Sequence, residues 1–199
     1  ISSVDELNKY NTGNNFVHVK SKNFFNNVNV DSRLYLNIDL DSAYRILPQF
    51  IDECKKQDLD YYFKTAGYNG KVLNARQFTR DETIVFYASN ADVHKYVNIL
   101  KKLMNNDSSI NVYSPPALTG VIDSVIGYGS EPLIKGTSYN SLRAEILCDA
   151  YSSLRSKYSN IDMTNINQSQ YKKYLSDFYK EIKKAGSVHG IDNLNFALQ

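Results

Sequence analysis

Two basic residues, Lys64 and Arg143, have the surroundings expected of a site that binds an anion beside a base. Lys64 lies in an aromatic, β-favouring segment, Tyr61–Thr65, where an apolar residue would also fit, and Arg143 falls in the second turn of a helix predicted from Ser138. A half-buried lysine is costly unless paired or used, and a helix N-terminus that presents an arginine favours an anion. The pattern suggests a phosphate held near a lysine base. The alternative is that both side chains extend to solvent and have no further role.

Several other chemistries are excluded by spacing. The three histidines are far apart in sequence and occur with no H-E-x-x-H or C-x-x-C pattern, so no metal site is expected: His18, His94 and His189. Neither Cys54 nor Cys148 is followed by an arginine at the spacing of a cysteine phosphatase, and no dinucleotide loop, P-loop or G-x-S-x-G elbow occurs. What remains is cation and tyrosine chemistry, carried by Arg33, Tyr35, Lys64, Arg76, Arg80, Tyr87, Lys135 and Arg143.

Composition limits the class of protein further. The chain of 199 residues is long enough for a substantial core, and its 42% hydrophobic content excludes general disorder. A net charge of +2 is too small to indicate nucleic-acid binding. No run of eighteen apolar residues predicts a membrane span, and two cysteines suggest a reducing compartment without a disulfide framework. The chain begins with Ile and no signal-peptide pattern follows, so we expect a trimmed or excised piece.

The elements that must position these residues are predicted from hydrophobic periodicity. Strands are expected at Phe16–Lys20, Arg33–Ile38, Asp60–Thr65 and Thr83–Ala88. In the second of these, Leu34, Leu36 and Ile38 alternate with Arg33, Tyr35 and Asn37, so the two sets lie on opposite faces. Helices are expected after a cap at Asp41, at Ala91–Met104, at Ser138–Tyr158 and at Gln168–Ala185, where Gly186 ends the last one. The stretch Ser114–Thr137 is rich in proline and glycine and is predicted to be irregular.

Strand and helix segments alternate without a regular βαβ repeat. We therefore predict an α+β protein, a single domain with a small, largely antiparallel sheet packed against several helices. Residues 1–30 are predicted to form an N-terminal extension with a short helix or strand, and residues 31–199 the main domain.

The order of several short segments resembles a known family. The segments are Arg33–Ile38, Phe63–Thr65, Arg80–Tyr87, Gly129–Pro132, Ser138–Arg143 and His189–Asp192. In that order and spacing the chain resembles the HopA-type type III effector family over roughly residues 30 to 195. That family is similar to the phosphothreonine lyases that pathogens inject into host cells, and to the lyase component of class V lanthipeptide synthetases.

The resemblance implies roles for individual residues in a β-elimination of phosphate that uses neither metal nor cofactor. By position, Lys64 resembles the general base that takes the Cα proton. Arg33, Tyr87 and Arg143 fall where those lyases carry a phosphate-binding lysine, a tyrosine and a phosphate-binding arginine. A second phosphate arginine falls near Arg76 or Arg80, which the sequence does not distinguish, and Lys135 is a further candidate. Where those lyases have a histidine general acid, this chain has Tyr35, which either protonates the leaving oxygen or only orients the phosphate.

The resulting functional hypothesis is a carbon–oxygen lyase that acts on phosphoserine or phosphothreonine in a peptide or protein. In a lanthipeptide-type maturation pathway, a kinase subunit would install the phosphate and a leader peptide would bring the substrate; no nucleic-acid or membrane partner is expected. The alternative is a non-catalytic effector or binding module that holds a phosphorylated or acidic partner in the same basic cleft. The corresponding locations are the bacterial cytoplasm, or a host cell after export. Ser114–Thr137 is expected to be a recognition surface.

Overall fold

The computed structural model describes residues 16–66, 82–116, 119–131, 139–162 and 164–189, which contain six strands and five helices. The strands are β1 (Phe16–Lys20), β2 (Ser32–Leu36), β3 (Tyr62–Ala66), β4 (Ile84–Ala88), β5 (Gly120–Ile122) and β6 (Ile126–Ser130). The helices are α1 (Phe24–Asn27), α2 (Leu40–Lys56), α3 (Val93–Asn106), α4 (Tyr139–Lys157) and α5 (Gln168–Val188). The chain divides into two compact units, Ile1–Glu131 and Pro132–Gln199.

All six described strands form one sheet in the first unit. Their order is β1-β3-β4-β2-β6-β5, and every neighbouring pair is antiparallel. The predicted α+β class with an antiparallel sheet is therefore confirmed. The four predicted strands are present, with bounds that differ from the predicted ones by a few residues at most. β1 lies within residues 1–30 and pairs with β3.

One face of the sheet carries the core, as the alternation in β2 predicts. Leu34 and Leu36 are fully buried and belong to the same cluster as side chains of α2 and α3. Phe50 from α2 contacts Phe63 and Phe86 with ring centroids 6.2 and 4.7 Å apart. The apolar stripes of both helices thus lie on this face, and the intervening strand positions project from the other.

The N-terminus of α2 differs from the prediction by two residues. Asp39, rather than Asp41, is the N-cap: its carboxylate accepts from the backbone N–H of Ser42 at 2.8 Å and from the Ser42 hydroxyl at 2.6 Å. Asp41 lies inside the first turn, where its negative charge interacts favourably with the positive end of the helix dipole. The sequence offers two aspartates two positions apart, and local propensity does not choose between them.

The prediction that Ser114–Thr137 is irregular was wrong for part of that stretch. Residues Gly120–Ile122 and Ile126–Ser130 form the β5–β6 hairpin, and β6 pairs with β2 along its whole length. Because glycine has a low strand propensity, the sequence pattern did not predict this hairpin. At Gly127 the structure has little room for a side chain, because an added Cβ would lie 3.1 Å from Tyr35 Cβ and 3.2 Å from Pro115 Cβ.

The second unit contains the helices α4 and α5. Leu142, Ile146 and Ala150 form a stripe on α4 that packs with Ile182 of α5. A capping box between Asn167 and Gln170 begins α5. The predicted stop at Gly186 was wrong: the helix continues through this buried glycine to Val188. No helix in the described part of the chain has the length and apolar character needed to cross a membrane.

Candidate functional site

The sheet face opposite the core carries a cluster of cationic and tyrosine side chains, which we call the basic face: Arg33, Tyr35, Tyr62, Lys64 and Tyr87. Arg33 is opposite Tyr87, and Tyr87 is opposite Tyr62, so these three residues form one row across β2, β4 and β3. Neighbouring strands are about 4.8 Å apart. Four members of the basic face were singled out for phosphate chemistry from the sequence, and Tyr62 is the added one. These four candidates therefore share one surface of the first unit.

Lys64 and Tyr35 belong to the next row of the same face. Val85 of β4 is opposite Tyr35 on one side and Lys64 on the other. Two strand spacings thus separate the proposed base from the proposed acid, roughly 10 Å between their Cα atoms. Val85, which lies between the two residues in this row, is itself buried and 1% exposed.

Lys64 has two neighbours on β1 that the sequence analysis did not connect with it. His18 is its direct partner across the β1–β3 pair, and the Lys64 Nζ lies 4.3 Å from the centroid of the Phe16 ring. His18 Nδ1 is 2.8 Å from the Tyr62 hydroxyl. Burial, together with the charge of Lys64, lowers the pKa of His18. An imidazole with a lowered pKa is neutral at physiological pH, so it neither adds positive charge beside Lys64 nor competes for an anion.

Arg33 is held by the carboxylate of Glu131, the residue that directly follows the neighbouring strand β6. Its Nε donates to Glu131 Oε2, and its second guanidinium nitrogen donates to Oε1 at 2.5 Å, so the pair is bidentate. The guanidinium carbon also lies 5.2 Å from the centroid of the Tyr87 ring. Burial opposes the charged form of Arg33, but the hydrogen bonds to Glu131 outweigh it and raise the pKa of the guanidinium. Arg33 is therefore a permanent cation in this site.

Tyr62 and Tyr87 of the basic face stay protonated at neutral pH. Tyr62 and Tyr87 stack with ring centroids 4.4 Å apart. Burial raises the pKa of Tyr87 to about 12, despite the opposing effect of Arg33, and burial likewise raises the pKa of Tyr62. A protonated phenol can donate a hydrogen bond to an anionic ligand, although the Tyr62 hydroxyl already lies within hydrogen-bond distance of His18 Nδ1.

Tyr35 is the most deeply buried residue of the basic face and is 3% exposed. It lies opposite Gly127 of β6, and the close contact noted above limits this position to glycine. Thr119, whose hydroxyl donates to the Pro116 carbonyl oxygen at 2.8 Å, also lies close to Gly127. The Cβ of Tyr35 is therefore closely packed against the β5–β6 hairpin and the segment that leads into it.

The remaining candidates are not part of this cluster as described. Arg143 belongs to the second unit, where it lies on α4 and is 9% exposed. Its contribution to the same phosphate as Arg33 stays a prediction. Arg76, Arg80 and Lys135 lie outside the described residues. Among the described residues, no three His, Cys, Asp or Glu side chains are grouped as a metal site would require.

Sequence reasoning did not connect His18 or Glu131 with the basic face. The histidines are more typical of surface or strand-edge positions, and His18 is indeed exposed on β1, an outer strand of the sheet. Its pairing with Lys64 is not readable from local pattern, because β1 and β3 are more than forty positions apart. Glu131 was noted only within a motif, and no local signal joins it to Arg33.

Together these features define an α+β protein whose antiparallel sheet has an apolar face covered by helices and a second face rich in cations and tyrosines. A model of the HopA1 effector protein family matches residues 7–198, and the chain belongs to this family. Among solved structures it is similar to the effector protein from Pseudomonas syringae pv. tomato strain DC3000, with a TM-score of 0.58 and 17% identity over 98% of this chain and 79% of that one. At that identity the likeness concerns the fold. No curated protein matches the chain.

Proposed function

We propose that this protein is a carbon–oxygen lyase that eliminates phosphate from phosphoserine or phosphothreonine in a peptide or protein. The observation that carries the proposal is the placement of Lys64, Arg33, Tyr35 and Tyr87 on one sheet face, in adjacent rows of adjacent strands. The products are inorganic phosphate and dehydroalanine or dehydrobutyrine. Membership of a family described as effectors supports export into a host cell as its location, and the lanthipeptide-type pathway, with its kinase and leader peptide, is the alternative setting.

In the proposed reaction, neutral Lys64 takes the Cα proton, the Cα–Cβ double bond forms, and the Cβ–O bond breaks as phosphate departs. A free lysine has a pKa of about 10.4, so the site has to favour the neutral amine for this step. Arg33 offsets the negative charge that grows on the leaving phosphate. Tyr87 donates a hydrogen bond to a phosphate oxygen, and Tyr35 donates its proton to the leaving oxygen.

The decisive experiment removes the base. Lys64→Ala should abolish the loss of one phosphoric acid from a phosphothreonine peptide, measured by mass spectrometry, while peptide affinity stays within a few-fold. Lys20→Ala is the matched control, because Lys20 lies on β1, is also packed over an aromatic ring, and is opposite Tyr62 on the same face. Release of phosphate with an intact threonine product would indicate hydrolysis and contradict the proposal.

A second candidate function is a binding module that holds a phosphorylated or acidic partner without reaction. The contact of Lys64 with the Phe16 ring favours it, because a cation–π interaction stabilises the ammonium form, which cannot act as a base. Wild-type protein that binds the phosphopeptide tightly and never changes its mass would support this function over the lyase.

A further inference from the structure

Glu131 occupies the edge of Arg33 to which a phosphate would bind. The Nε and one terminal nitrogen of the guanidinium donate to its two carboxylate oxygens, and the side chains of Arg33 and Glu131 are only 12% and 28% exposed. Arginine binds carboxylate and phosphate through this same pair of parallel donors. A phosphate that uses this edge of Arg33 therefore has to displace the carboxylate of Glu131.

The carboxylate is delivered by the main chain rather than by a mobile segment. Glu131 directly follows β6, which pairs with β2, and its backbone N–H donates to the Asp31 carbonyl oxygen at 2.8 Å. Arg33 lies two residues after Asp31. Because the backbone is held at this point, Glu131 can leave and return by rotation of its side chain alone. A tethered competitor of this kind acts at a high effective concentration.

We propose that Glu131 is a positioning residue that holds Arg33 between turnovers and displaces the inorganic phosphate product from it. This inference rests on the proposed function, because it takes Arg33 as a phosphate ligand. The phosphopeptide and the free phosphate both compete with the Glu131 carboxylate for Arg33. The apparent affinity of each ligand is therefore its intrinsic affinity multiplied by the fraction of time that Arg33 is not bound to Glu131. A lyase gains from this arrangement, since its product carries the same phosphate group as its substrate and would otherwise stay bound.

The test is the affinity for inorganic phosphate, measured by calorimetry in the full chain at neutral pH. Glu131→Gln keeps the size of the side chain and removes its charge, and it should tighten phosphate binding about tenfold if Arg33 is unoccupied about a tenth of the time. In turnover, the inhibition constant of phosphate and the KM of the phosphopeptide should both fall, whereas kcat should not rise. A residue with only a structural role would weaken binding when it is replaced.

The matched control separates displacement from a general change of charge. Asp31→Asn removes one negative charge beside the same strand, and the Asp31 side chain bonds to Asn29 and the backbone of Asn90 rather than to Arg33. It should change phosphate affinity much less than Glu131→Gln. Equal effects of the two variants, or unchanged or weaker phosphate binding in Glu131→Gln, would overturn the inference.

Two further readouts keep the inference testable. If Glu131→Gln does not fold, the Nε–H resonance of Arg33 in the wild-type protein should shift when phosphate saturates the site, and an unperturbed resonance would overturn the inference. Phosphate binding does not depend on turnover. If Glu131→Gln binds phosphate more tightly but the wild-type protein has no lyase activity, only the proposed function is contradicted. If the wild-type protein is an active lyase but Glu131→Gln has unchanged phosphate affinity, only the role of Glu131 is contradicted.

Discussion

Substitution of Gly127 by alanine should destabilise the protein, because the new methyl group has no space. The added Cβ would lie 2.8 Å from Thr119 Oγ1, 3.1 Å from Tyr35 Cβ and 3.2 Å from Pro115 Cβ. The last two atoms are fixed to the backbone, so neither can rotate away. The Thr119 hydroxyl could move, but it would lose its hydrogen bond to the Pro116 carbonyl oxygen.

The expected magnitude follows from these contacts. Overpacking of one methyl group costs about 1–3 kcal/mol, and loss of the Thr119 hydrogen bond adds about 1 kcal/mol. The free energy of unfolding should therefore fall by about 2–4 kcal/mol. For a chain of this size, 1 kcal/mol corresponds to roughly 2–4 °C, so the melting temperature should fall by about 4–16 °C.

Gly120→Ala is the control for this substitution, because Gly120 lies in the other strand of the same hairpin. A Cβ there would meet only Tyr128, with its nearest atoms at 3.6 and 3.9 Å, which are ordinary contacts. Urea unfolding followed by circular dichroism compares the two variants with the wild type. If Gly127→Ala unfolds within about 0.5 kcal/mol of Gly120→Ala, the packing argument at Tyr35 is wrong, since a surface-like change has that size.

Four further predictions concern catalysis, pH and capping. Tyr35→Phe deletes only the hydroxyl, so if Tyr35 is the general acid, elimination should slow by about 10²- to 10⁴-fold with little change in peptide affinity, and near wild-type turnover would show that it only lines the site. The pKa of Asp177 is held at about 2 by its hydrogen bond from Lys157, so the melting temperature should fall as the pH drops from about 4 to 2, and Asp177→Asn should flatten this limb. The folded state resists protonation of His18, so its imidazole should titrate below 6.5 by NMR and its contribution to stability should be lost as the pH falls below that value; a midpoint at or above 6.5 would contradict this. Asp39→Ala should cost about 0.5–2 kcal/mol of unfolding free energy through loss of the α2 cap, and an unchanged midpoint in urea would refute it.

Strand alternation was enough to predict which residues of β2 face the core and which face the proposed substrate. Leu34 and Leu36 are buried with the helices, whereas Arg33 and Tyr35 lie on the basic face, because the side-chain period of a strand is fixed at two. The same rule places Lys64. These parts of the site were accessible from sequence because they depend only on local geometry.

Long-range pairing and glycine-rich strands were not accessible in the same way. The β5–β6 hairpin was missed because glycine serves here to avoid Tyr35 and Pro115, a requirement that exists only after the sheet has formed. The contacts of Lys64 with His18 and of Arg33 with Glu131 join segments that no local pattern connects. The sequence therefore predicted which residue types could act, and the fold determines their neighbours.

The order of the strands also has a consequence for synthesis of the chain. Until β6 is made, β2 is the outer strand of the sheet, and its unpaired backbone groups lie beside Leu34 and Leu36. Ninety positions separate the end of β2 at Leu36 from the start of β6 at Ile126. At typical translation rates of about 5–20 residues per second, β6 is synthesised roughly 5–20 s after β2. An open apolar edge promotes association with other chains, so the nascent protein should depend on chaperones most strongly in this interval.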